Sequence, residues 1–86
     1  MKRDRPPAFR LDLNAPPFGD GSTRVMVMIH AKKALAWTKG WPLEDVGAAF
    51  NQIRDYLLRG EFDAIHQYPF IVGWCVGVPA SDGEAP

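Results

Sequence analysis

"PLEDVGAAFNQIRDYLLRG", residues 42–60, restricts the fold of this 86-residue chain more than any other stretch. Val46, Ala49, Phe50, Ile53 and Leu57 recur at three- and four-residue spacing, which places them on one stripe of a helix. Glu44, Ala48, Asn51, Asp55 and Arg59 fall on the far side. The ends fit: Pro42 suits a first turn, Glu44 and Asp45 favour the positive N-terminal end, and Gly60 halts the helix after Arg59. Burying Val46, Phe50, Ile53 and Leu57 stabilises by ~1.5–3 kcal/mol each, so this helix is expected to organise the core. Leu58 lies off the stripe, beside Gly47 and Arg54, and is expected to meet a preceding short helix where Gly47 admits a close backbone.

A helix with one apolar stripe needs a second layer, and the rest of the chain supplies strands. "FRLDLN" (9–14) alternates, Phe9, Leu11 and Leu13 against Arg10, Asp12 and Asn14, as a half-buried strand does. "VMVMIH" (25–30) sets Val25, Val27 and Ile29 against Met26, Met28 and His30. "FIVGWCVGV" (70–78) carries Phe70, Val72, Trp74, Val76 and Val78 on one face, with Ile71, Gly73, Cys75 and Gly77 on the other. Between the first two strands "APPFGDGST" (15–23) reads as a hairpin loop, since its prolines cannot donate to a ladder. A short helix is expected over Ala31–Trp37, and one helical turn holding Phe62 and Ile65 within 61–69.

The fold class that follows is α+β: a small three-stranded, mostly antiparallel sheet packed on one long and one short helix, in the order β-β-α-α-β. The long helix running back along the second strand would put the third strand beside the first, a 3-1-2 order. One domain is expected over 9–79, between a polar N-terminal arm (1–8) and a polar C-terminal tail (80–86).

The sequence offers little catalytic chemistry. A nucleophile needs a neighbouring base that a third group orients. His30 ends a strand, His66 lies in a connector, and no glycine elbow surrounds Ser22 or Ser81. Cys75 is the single cysteine, so no intramolecular disulfide forms, and its apolar strand suggests an inert structural thiol. Asp63 and His66 are spaced for half a metal site, and two ligands do not make one. "GDGST" looks like a phosphate-cradling loop but precedes a strand and lacks the Lys. The expectation is a non-enzymatic chain with no cofactor and no metal.

Ten basic and ten acidic residues balance, although unevenly along the chain. Residues 1–40 carry a net +5 and residues 41–86 a net −5. The N-terminus lacks the apolar stretch of a signal peptide, and the run Phe70–Val78 is too short for a membrane helix. A cytoplasmic protein with no membrane contact is expected.

Two surfaces then carry the functional expectations. The first is the sheet face turned from the helix, with protein-binding candidates Met26, Met28, Ile71, Gly73 and Cys75. Bare apolar faces mark partners, methionines adapt to irregular surfaces, and glycine admits a neighbouring backbone. The partner is another protein or a second copy of the chain, and the chain acts as an inhibitor or adaptor of a larger assembly. Phage-encoded inhibitors of host defence, anti-CRISPR proteins among them, are chains of this size, an analogy of class alone. The second surface is Lys32, Lys33, Trp37, Lys39 and Trp41, where lysines would neutralise phosphates and indoles stack on bases of a nucleic acid.

Overall fold

The computed structural model describes residues 8–78. Strands β1 (Ala8–Asp12), β2 (Arg24–His30) and β3 (Ile71–Gly77) form one antiparallel sheet, with helices α1 (Ala31–Trp37) and α2 (Leu43–Leu58) and a 3-10 helix (Phe62–Gln67) between β2 and β3. The α+β architecture and its β-β-α-α-β order are those expected. Ala8, assigned to the arm, opens β1; the rest of the arm and the tail 80–86 lie outside the described residues.

The strand order differs from the expected 3-1-2. The sheet runs β1-β2-β3, with β2 central and antiparallel to both neighbours. The cause lies in the connection. Two helices and a 3-10 turn carry the chain out and back to the same end of the sheet, where His30 N–H donates to the Phe70 carbonyl at 2.8 Å. A strand that starts where its predecessor ended must pair antiparallel with it.

The β1–β2 loop is built around two polar side chains. Asp12 Oδ1 accepts from the backbone N–H groups of Asn14 (2.9 Å), Ala15 (3.1 Å) and Val25 (3.3 Å). Asn14, the buried polar residue, donates its Nδ2 to the Thr23 carbonyl at 2.8 Å. A Cβ at Gly19 would lie 1.9 Å from Asn14 Oδ1, so that position tolerates glycine alone. Gly21, at φ +75°, makes the turn and donates to the Asn14 carbonyl at 2.7 Å. "GDGST" is thus part of a hairpin loop.

Helix α1 has the expected bounds, and His30 caps it by accepting from Lys33 N–H at its Nδ1 (3.3 Å). Helix α2 is shorter than its pattern at both ends: Pro42 is its N-cap, Arg59 its C-cap, and Gly60 turns the chain at φ +76°. Ile53 and Leu57 are buried, while Val46, Ala49 and Phe50 are only partly so. Leu58 stays 43% exposed, and a Cβ at Gly47 would meet nothing within 4 Å. The close approach expected at Gly47 does not occur.

The core joins Val25, Val27 and Ile29 of β2 to Leu13, Ile53, Leu57, Ile65, Tyr68 and Phe70. Strand β3 holds the main surprise. Met28 pairs with Gly73 but Ile29 pairs with Ile71, so Val72 is the extra residue of a β-bulge. The slip returns Ile71 to the core side, where it packs against the cluster, and leaves Val72 55% exposed. The strict alternation expected across 70–78 therefore holds only beyond Gly73.

Candidate functional site

The sheet carries its helices on one face. On the other, the pairing register aligns Arg10, Met28 and Gly73 in one row and Asp12, Met26 and Cys75 in the next. The two methionines occupy the central strand, and a shallow groove of about 230 Å³ runs between them and β3. Gly73 opens this groove, because a side chain there would meet open space. Charge collects along β1 and at the start of β2. Arg10 lines the groove, while Arg24 lies 3.9 Å from Asp12 Oδ2. The face thus has an apolar centre and a charged margin, the usual anatomy of a protein contact.

Of the five candidates expected here, Met26, Met28, Gly73 and Cys75 share this face. Ile71 does not, because the bulge turns it to the core. The picture of Cys75 also changes. It is exposed, so the expectation of a shielded thiol is wrong. Its neighbours across β2 shield less than its apolar sequence context suggested, since among the described residues no helix covers this side.

The Lys/Trp stretch separates into two unlike parts. Lys32, Lys33 and Lys39 are exposed on and just after α1. Trp37 turns inward instead, its ring 5.5 Å from Tyr68 and 5.1 Å from Phe70, both edge-on. Trp41 leans on Trp37 at 4.9 Å and 48°, and keeps 40% of its surface exposed. The two indoles form one wall of an open cleft of about 430 Å³. None of the three lysines lines it; its one charged lining group is Asp45.

Sequence reasoning missed this cleft because its parts come from separate segments. Asp45, Ala48 and Gln52 stand on one face of α2, while Gln67 ends the 3-10 helix and Tyr68 follows it. Tyr68 donates its hydroxyl to Gln52 Oε1 at 2.7 Å, and Gln67 donates its amide to the Ala64 carbonyl at 2.9 Å. Burial, with a smaller contribution from Tyr56, raises the Tyr68 pKa above the ordinary phenol value. A second missed surface is an apolar groove of about 300 Å³ between α1, α2 and the β1 edge, lined by Phe9, Leu35, Val46 and Phe50. Leu35 is 71% exposed there, a residue the helical spacing of so short a segment could not place.

Asp63 and His66 both stand exposed on the 3-10 helix, and His66 lies edge-on to Trp74 at 6.1 Å. Among the described residues no three metal-ligating side chains are grouped to hold an ion, and no helix is long and apolar enough to cross a membrane. Comparison with family models, curated proteins and solved structures finds no match for this chain.

Proposed function

We propose that this chain is a non-catalytic protein-binding module, an inhibitor or adaptor that docks through the sheet face opposite its helices. One observation carries the reading: the centre of that face is Met26, Met28, Gly73 and Cys75, margined by Arg10, Asp12 and Arg24. An apolar centre loses its contact with water when a partner seats, while marginal charges set the approach and orientation. Methionines on the middle strand repack against an irregular surface at little cost. The free thiol of Cys75 on this face suits a reducing, cytoplasmic setting.

The nucleic-acid reading draws less support from the geometry. Its indoles line a cleft whose charged group is a carboxylate, which repels phosphate, and its lysines lie outside that cleft. The test is capture on immobilised wild type and Met28→Lys protein from nuclease-treated extract. A protein retained by wild type and lost with Met28→Lys supports the reading. Equal retention by both, or retention only without nuclease, refutes it.

A further inference from the structure

The Trp37–Trp41 cleft has a lining suited to one kind of ligand. Its volume of about 430 Å³ falls within the usual range for ligand sites, about 300–1,000 Å³. Ala48 and Ala49 line it, and their short side chains leave the space above α2 open. Trp41 keeps 40% of its surface exposed although it already packs on Trp37, so part of its indole remains available.

The polar groups narrow the choice further. Gln67 spends one of its two amide N–H groups on Ala64 and keeps its carbonyl oxygen as an acceptor. Tyr68 spends its proton on Gln52, which leaves the phenol oxygen as an acceptor. The Asp45 carboxylate accepts only and is the one charged group, while the donors of the lining, the Gln52 amide, the second Gln67 N–H and the two indole N–H groups, are all neutral. Acceptors, one negative charge and aromatic faces together complement a flat, donor-rich cation. An arginine side chain is such a group: its guanidinium stacks on indoles and presents its donors in a rigid fork. A phosphate or carboxylate ligand would face Asp45 without a compensating cation in the lining.

We propose that this cleft binds an arginine side chain of a partner polypeptide, its guanidinium stacked on the Trp37–Trp41 wall and directed at Asp45. The recognition chemistry stands independently of the sheet-face reading; only the polypeptide as source of the arginine rests on it.

The site can be tested without any partner. The chain has three tryptophans, and Trp74 stacks on Phe62 away from the cleft, so its indole signal is an internal control. The probe is Nα-acetyl-arginine methylamide, titrated into 15N-labelled protein, with the matching citrulline derivative as a neutral isostere. Saturable millimolar shifts of the Trp37 and Trp41 indole N–H signals are expected, with Trp74 unmoved and citrulline silent. Asp45→Asn, at an exposed position, should weaken binding about fivefold, in line with a partly solvated charge pair. Asp45→Glu should retain binding.

Equal shifts from citrulline, undiminished binding by Asp45→Asn, movement of Trp74 in step, or no saturable shift would each overturn the proposal. So would preferential binding of methyl glucoside, which would assign the wall to a sugar. Tighter binding of free arginine than of the blocked derivative would assign it to a metabolite and overturn the polypeptide source. None of these outcomes bears on Met28→Lys, so the two readings fail separately.

Discussion

Replacing Ile53 by alanine tests how the fold is held together. Ile53 is fully buried on α2, in the cluster that also holds Val25, Val27 and Ile29 of β2. The change removes three carbons, worth about 0.8 kcal/mol each in transfer from water. A cavity that the neighbours only partly fill adds to this, giving about 2–5 kcal/mol in all. A chain of this size is stable by only about 5–10 kcal/mol, so the variant sits near the threshold of folding. With a urea slope of about 1 kcal/mol/M, the unfolding midpoint should fall by about 2–5 M. Leu58→Ala, on the same helix but 43% exposed, is the control and should move the midpoint by less than about 1 M. The assay is urea unfolding followed by tryptophan fluorescence and circular dichroism together. Equal midpoints for the two variants would refute the assignment of the α2 stripe to the core.

Cys75 should react rapidly with a thiol reagent in native buffer, at close to the rate of the unfolded chain, since it is exposed; strong native protection would contradict its place on the open face. Asp12→Ala strips an acceptor from the Asn14, Ala15 and Val25 N–H groups and should cost about 1–3 kcal/mol in the same urea assay. The bulge predicts that Ile71→Ala destabilises by more than Val72→Ala, whereas regular alternation would predict the reverse. Because the folded pKa of Tyr68 is raised, its contribution is complete below the unfolded phenol value and is lost as pH climbs through the folded value. Phenolate absorbance should therefore show a component above the ordinary value of about 10 that Tyr68→Phe removes and that vanishes on unfolding.

Much of the architecture was legible because periodicity records burial. The stripe ending in Ile53 and Leu57, the alternation of Val25, Val27 and Ile29, and the bounds Ala31–Trp37 all appear as read. Pairing was not legible. Periodicity shows which side of a strand is buried but not which strand lies beside it, and the return of the chain to His30 had no local signal. The bulge at Val72 was equally silent, and a one-residue slip moves a side chain to the opposite face. That slip is why Ile71 left the predicted surface while Met26, Met28 and Gly73 stayed on it. The Trp cleft needed residues from three segments, and its decisive group, Asp45, had read simply as a helix-start carboxylate. The central opposition between an apolar sheet face and a basic aromatic stretch was nonetheless visible in the order of the residues.

The central claim is that the Met26–Met28 face, and not the lysines of α1, holds the partner. The direct measurement is affinity for the captured partner across a salt series, for wild type, Met28→Lys, and the double variant Lys32→Glu with Lys33→Glu. Circular dichroism confirms that each protein is folded. A charge placed at the desolvated centre of the contact should reduce affinity by about 2 kcal/mol or more, roughly thirtyfold. The double reversal, at exposed sites, should change it by less than about 1 kcal/mol and act mainly on the association rate. Salt dependence should be shallow. A steep fall of affinity with salt, a large loss in the double variant and an indifferent Met28→Lys would contradict the account and return the function to the basic stretch.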